Sequence, residues 1–331
     1  MRRTIYILSD GKLRKRNNTM MFVDTEGKKH YSPVENIDSI MVFGRISISN
    51  KLLELFTQKG TLVHFFNFYE YYVGTYYPRE KYASGLVLLK QVEHYLDCTK
   101  RLHLARKFVE GALKNIIQNL KYYGERGADL GETERSIKGL LQRITPVNSI
   151  EQLMAIEGNA RDIYYRSFDK IIKNDDFAFE TRTRRPPENR LNALISLGNS
   201  LLYVTVLNEI YKTHLDPRIG YLHTTNRRHF TLSLDIAEIF KPILVDRLIF
   251  TVIHRKQIKK SDFREGSGGI ILKKEALKLF TKEWENRLKT TVYHRNLKRK
   301  VSYRQLIRIE NYKIIRHLIG DREYFPYVTR R

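Results

Sequence analysis

His223, Asp235 and Glu238 fall in one short stretch of the chain. His223 belongs to a polar, turn-prone segment with Thr224, Thr225, Asn226, Arg227 and Arg228. Ile236, Ile239, Phe240, Ile243 and Leu244 then recur at the spacing of a helix. On such a helix Asp235 and Glu238, three residues apart, point to one side, one turn above the other. His223 can fold back over both. Pro242 has no N–H for the carbonyl of Glu238, so the helix is expected to bend or break one turn after the acids. A plainer reading makes this a solvated helix end, with Glu238 paired to Lys241 or Arg247.

A second stretch bears on that choice. Ser149 and Gln152 have capping-box spacing, and Ile150, Leu153, Met154, Ala160, Tyr164, Phe168 and Ile171 follow at helical period. At about 100° per residue, Glu157 lands in the middle of this apolar stripe. A carboxylate there requires a metal or a cationic side chain, because an isolated buried charge costs far more than packing returns. Arg161, Arg182, Arg184 and Arg185 are the arginines placed to supply one.

The elements that must position these residues divide the chain in two. From Thr4 to about Tyr77, β-rich runs (Thr4 to Ile7, Thr19 to Val23, Ser39 to Val42, Leu62 to Phe66, Tyr71 to Tyr76) alternate with turns at Asp10-Gly11 and Glu26-Gly27. A helix from Ser49 to Lys59, stopped by Gly60, interrupts them. Beyond Pro78 the chain reads as helical: Tyr82 to Tyr123 as two helices or one bent one, with Leu86, Leu89, Val92, Leu96, Leu104 and Phe108 on its apolar face, then Glu132 to Ile144, the Ser149 helix, and an uncharged run from Leu191 to Asn208 expected as a buried core helix. Further helices are expected around Pro242 to Lys256, Lys274 to Lys289 and Tyr303 to Leu318. The predicted fold class is α+β, a small N-terminal β-domain (1–78) followed by a larger all-helical lobe (79–331).

Sixty Lys and Arg against 36 Asp and Glu give a net charge of +24 in 331 residues. A field of that sign favours a polyanion, nucleic acid before membrane lipid. The basic clusters are Arg182, Arg184 and Arg185; Arg227 and Arg228; Arg255, Lys256, Lys259 and Lys260; and Arg295, Lys298, Arg299, Lys300, Arg304 and Arg308. The single cysteine, Cys98, excludes an intramolecular disulfide and a cysteine zinc cluster, and it is expected to pack. No secretory signal opens the chain, so the expected compartment is the cytoplasm, without membrane association. Gly266 to Gly269 lacks Walker spacing and reads as a turn; ATP is not implied.

The β-rich first quarter, IEGNARDIYYRSFD around Glu157, RRPPENRLNALISLGNSLLY, and GYLHTTNRRHFTLSLDIAEIFKP together resemble the CRISPR-associated spacer-acquisition integrases, the Cas-one family. DFREGSGGIILKKEALKLFTKEWENRL is similar to that family's C-terminal region. The resemblance implies a β-domain that makes a homodimer and a helical catalytic lobe with a divalent-metal site. It places the metal ligands at Glu157, His223 and Glu238, with Asp235 the neighbouring acid of the catalytic set and Tyr165, Arg166 and Asn192 as support residues. One imidazole with carboxylates and no thiolate suits Mg²⁺ or Mn²⁺ better than structural zinc. The implied reaction joins captured double-stranded DNA to a CRISPR repeat by attack of a 3′-hydroxyl, with a small second CRISPR adaptation protein as partner. The other class left open is a non-enzymatic nucleic-acid-binding protein in which His223, Glu157 and Glu238 form a buried structural network. A structure-selective metallonuclease without integration is the weaker third.

Overall fold

A computed structural model of the chain describes residues 2–79, 82–184, 186–223, 230–266 and 269–329. They form two units, Met1–Lys81 with Lys273–Glu285, and Tyr82–Leu272 with Asn286–Arg331.

The first unit contains two four-stranded sheets. β1 (Arg3–Ile7) pairs in parallel with β5 (Ile37–Val42), and β5 in parallel with β7 (Leu62–Phe66), which β8 (Tyr72–Tyr76) joins antiparallel. In the second sheet β2 (Gly11–Arg16) lies between β3 (Thr19–Asp24) and β6 (Ile46–Ile48), and β4 (Lys29–Pro33) edges β3. Ile7, Leu13, Val34, Ile40, Val63 and, from helix α1 (Asn50–Lys59), Leu52 and Phe56 form its core. Gly60 ends α1 in the left-handed region at φ 66°, where its N–H reaches the carbonyls of Phe56 and Thr57. The predicted strands are all present. β2, β4 and β6 were not foreseen, since GKLRKR and KHYSP carry too much charge and too few β-branched residues to read as strands.

The second unit is mostly helical. Asp97 separates α2 (Gly85–Leu96) from α3 (Cys98–Gly124) by accepting hydrogen bonds from Thr99 and Lys100, which resolves the long segment into two helices. α4 (Gly131–Gln142), α5 (Ile150–Arg166) and α6 (Phe168–Ile172) follow. α7 (Arg190–Ile210) is long and apolar enough to cross a membrane, and 83% of that apolar window is buried inside the protein. α8 (Thr231–Lys241) runs through a π-helical turn, Pro242–Asp246, into α9 (Arg247–His254). Two antiparallel hairpins, β9 (Phe263–Gly266) with β10 (Gly269–Leu272) and β11 (Thr291–His294) with β12 (Arg299–Ser302), modify the expected all-helical lobe, and α11 (Tyr303–Leu318) closes it.

Three expectations change. The sequence division at residue 78 left all of α10 (Lys274–Lys289) in the helical lobe, whereas Lys273–Glu285 groups with the β-rich unit, where Tyr6 donates a hydrogen bond to Glu285 at 2.9 Å. Amphipathic period reveals that a helix has a buried face, not which partner covers it. Cys98, expected to pack, is exposed at the start of α3. Leu86, Leu89 and Leu96 of α2, expected in a core face, are 62%, 70% and 72% exposed, while Val87, Gln91 and His94 are the buried side of that helix.

Candidate functional site

Two helices, α5 and α8, and the loop before α8 bring Glu157, His223, Asp235 and Glu238 together. Ser149 caps α5 by accepting from the Gln152 N–H at 3.2 Å, and Leu153, Ala160 and Tyr164 bury its apolar side. That anchoring carries Glu157 and Arg161 to α8. The loop before α8 folds back on the helix start: the Thr231 hydroxyl donates to the Arg218 carbonyl at 2.8 Å and accepts from the Gly220 N–H at 2.9 Å. A Cβ on Gly220 would meet Thr231 at 2.8 Å, so a glycine permits this approach.

Asp235 is fully buried and its carboxylate takes four hydrogen bonds. Oδ2 accepts from the N–H groups of Tyr221 at 2.6 Å and Leu222 at 3.0 Å; Oδ1 accepts from the His223 N–H at 3.0 Å and lies 2.8 Å from His223 Nδ1. His223 therefore does fold back, onto Asp235. With Nδ1–H given to Asp235, Nε2 is the ring nitrogen left for another partner, the arrangement in which a carboxylate orients a metal-binding histidine. Burial lowers the His223 pKa, but the Asp235 hydrogen bond and charge, with Glu238 adding, outweigh it and hold it above the usual value. The neighbours of His223 from Thr224 to His229, including Arg227 and Arg228, lie outside the described residues, as does Arg185.

Glu238 is satisfied differently. Pro242 cannot donate to the Glu238 carbonyl, and Arg161 Nη2 does so at 3.1 Å while also donating to Glu238 Oε2 at 2.8 Å. Lys241 Nζ bonds the other oxygen, Oε1. Arg161 Nε reaches Glu157 Oε1 at 3.2 Å, so one guanidinium spans both glutamates. The expected break at Pro242 is instead a π turn inside a continuous helix, stabilised by two buried asparagines of α3: Asn115 Nδ2 donates to the Ile239 carbonyl at 2.9 Å and Asn119 Nδ2 to that of Pro242 at 2.6 Å.

The two glutamates repel across the gap. Burial pushes the Glu157 carboxyl up, and Glu238 pushes it further. Burial also opposes ionisation of Glu238, but Lys241, Arg161 and His223 overcome this and hold it well below the carboxylate range. Among the described residues no three His, Cys, Asp or Glu side chains are grouped so as to hold one ion, and Arg161 and Lys241 take the Glu238 oxygens. The donor chemistry nonetheless fits a hard divalent cation: two adjacent carboxylates in need of positive charge and an imidazole whose Nε2 is presented by a buried aspartate.

The support residues separate. Asn192 accepts from Arg182 Nη1 at 3.0 Å and donates to the Thr181 carbonyl at 2.7 Å, fastening the basic connection to α7. Tyr165 is buried beside Arg161, and burial raises its pKa. Arg166 is on the surface, paired with Asp162 at 2.8 Å. Arg247 donates to Asn119, not to Glu238. Sequence reading passed over Asp246, a buried acid at the end of the π turn.

A two-unit protein with a β-rich first unit and a buried His/Glu site on helices defines the class, and comparison with known proteins places the chain within it. Residues 5–286 match the family described as CRISPR associated protein Cas1. The CRISPR-associated endonuclease Cas1 2 of Thermodesulfovibrio yellowstonii is 52% identical over 329 residues, 99% of each chain. The structure of a Cas1 protein from Thermotoga maritima superposes with a TM-score of 0.89 at 44% identity, covering 97% of this chain and 99% of that one. A casposase bound to integration product shares the fold, with a TM-score of 0.87 at 19% identity over 98% of this chain and 92% of its own. The chain belongs to the Cas1 family.

Proposed function

We propose that this protein is a divalent-metal-dependent enzyme that cuts DNA and inserts DNA fragments into a CRISPR array, with Glu157, Glu238 and His223 Nε2 holding Mg²⁺ or Mn²⁺. The observation that carries the site is the pair of buried glutamates held together by one arginine beside an imidazole oriented through Nδ1. When bound, such an ion polarises a phosphodiester oxygen and offsets charge as one 3′-hydroxyl attacks and another leaves. The chain's own part is to pin His223 through Asp235, to keep Glu157 and Glu238 adjacent, and to exclude water by burial. A phosphodiester bond is conserved, so no nucleotide is consumed.

Binding to duplex DNA is read as backbone-directed. Arg295, Lys298, Arg299 and Lys300 are exposed on the β11–β12 hairpin and form no ion pair among the described residues, and Tyr293 lies opposite Lys300 on that ladder. Arg182, in contrast, is spent internally. The β-rich unit is read as the homodimer element, and the apolar stripe of α2 is a further surface that favours cover by protein. A small second CRISPR adaptation protein and a cytoplasmic location complete the reading; the structure of a Cas6-RT-Cas1–Cas2 complex contains a chain of this fold.

The test is incubation with short duplexes bearing free 3′-OH ends, a supercoiled plasmid carrying a repeat, and Mg²⁺ or Mn²⁺. Covalent joining that disappears with chelator is the expected result. Salt-sensitive binding with neither joining nor cleavage in either metal would instead make His223, Glu157 and Glu238 a structural network in a binding protein.

A further inference from the structure

Two cations occupy Glu238, and a divalent ion that takes this carboxylate has to send at least one of them elsewhere. Asp246 lies eight residues beyond Glu238 on the same continuous helix. On a straight α-helix the two would be offset by about 80°; the wider π turn between them alters that register. The Asp246 side chain is 1% exposed; neither of its oxygens meets a donor at good hydrogen-bond geometry, although the Tyr164 hydroxyl is near enough to pull on the carboxyl, and no other Asp or Glu among the described residues is buried in that state. Arg161 supplies the complementary defect. Its Nε and Nη2 are used on Glu157 and Glu238, whereas Nη1 is buried without an acceptor. Burial pushes the Asp246 carboxyl up to about 7, against the pull of Arg161 first and then of Lys241 and the Tyr164 hydroxyl. Arg161 is thus the charge that acts most strongly on Asp246, and Asp246 in turn acts on Arg161.

A buried donor without an acceptor and a buried carboxyl that only the Tyr164 hydroxyl approaches cost stability, and a folded protein seldom keeps both without a use for them. We propose that Asp246 is a positioning residue that receives the Arg161 guanidinium when a divalent cation takes the Glu157 and Glu238 carboxylates. The inference rests on the metal reading above. It supplies what that reading lacks, a destination for the arginine. In the metal-free protein the guanidinium neutralises the two glutamates. With the ion bound, its charge would face two more positive charges in a water-poor site; moving Nη1 and Nη2 towards Asp246 pairs it again and frees Glu238 Oε2 to ligate, with Lys241 on Oε1. The step is a movement of the guanidinium, and any proton on the Asp246 carboxyl passes to solvent as the arginine arrives.

The full-length protein and its Asp246→Asn variant are titrated with Mn²⁺ by calorimetry, and the melting temperature of each is measured in chelator. Asparagine keeps the shape but offers no charge to Arg161. Mn²⁺ affinity is expected to fall about 10 to 100-fold, the range for residues that act on a site through its ligands, while the metal-free melting temperature stays level or rises because a poorly paired buried acid is gone. Asp246→Glu is expected to restore part of the affinity, and Asp246→Ser replaces Asp246→Asn if the latter fails to fold. Affinity within two-fold of the parent, or a loss that travels with a lower metal-free melting temperature, overturns the proposal. A parent that binds no Mn²⁺ overturns the metal reading as well, so the two failures are distinguishable.

Discussion

The two halves of helix α8 solve the same problem in opposite ways. In its first half Asp235 is buried and satisfied by three backbone N–H groups and one imidazole, all from the loop at Tyr221 to His223. One turn on, Glu238 is buried and satisfied by an arginine and a lysine. Backbone amides cannot leave without unfolding the loop, so Asp235 is a fixed strut. Long cationic side chains can rotate away, so Glu238 is an exchangeable carboxylate. The comparison supports the proposed roles that sequence spacing alone left open: the Asp235 oxygens are taken by four donors, whereas Glu238 would have two oxygens to offer once its cations depart.

The sharpest break of this contrast is Glu238→Gln. Removing the charge should abolish strand joining and weaken Mn²⁺ binding while leaving salt-sensitive DNA binding nearly intact. It also leaves Arg161 and Lys241 partly uncompensated in a buried site, which costs roughly 3–5 kcal/mol when a buried pair is broken; a lower melting temperature with an unchanged circular dichroism spectrum is expected. A Gln variant that bound metal and joined DNA like its parent would remove Glu238 from the site.

Asp235→Asn should act more mildly and through geometry. Its amide group can replace one acceptor oxygen but sets an N–H against the donors that the other oxygen served, at about 1–3 kcal/mol for each buried group left unmatched. The expected outcome is metal binding retained within a few-fold, with joining reduced ~10 to 100-fold because His223 loses its fixed orientation. Measured side by side, the two variants should differ in kind: one loses the ion, the other the aim. Loss of metal by Asp235→Asn alone would exchange the roles.

Much of this was legible in the sequence. Helical period located α5, α7 and α8, and a carboxylate inside an apolar stripe marked Glu157 as a group in need of a cation; Arg161, one turn later, was among the candidates and is the one used. What could not be read depended on contacts without a sequence signature. The backbone donors to Asp235 look like any loop. Asp246 lay beyond an expected break at Pro242, and a continuous π turn is not distinguishable from a kink by residue type, so its place on the helix that carries Glu238 stayed hidden. The basic hairpin of β11 and β12 read as a charge run, because in four-residue strands two of every four side chains are solvated and alternation carries little hydrophobic contrast. The α2 stripe had the periodicity of a core face and is exposed among the described residues, because periodicity marks an apolar face and not what covers it.

The central step is one exchange, a divalent ion for the cations on Glu238. Diffraction from crystals grown with Mn²⁺, collected at the manganese edge, locates the ion and the arginine together. The expected map has an anomalous peak bound by Glu157, Glu238 and His223 Nε2, with Asp235 still on Nδ1 and Arg161 moved from Glu238 to Asp246. A peak bound elsewhere, or no peak with Arg161 and Lys241 still closed on Glu238, would contradict it.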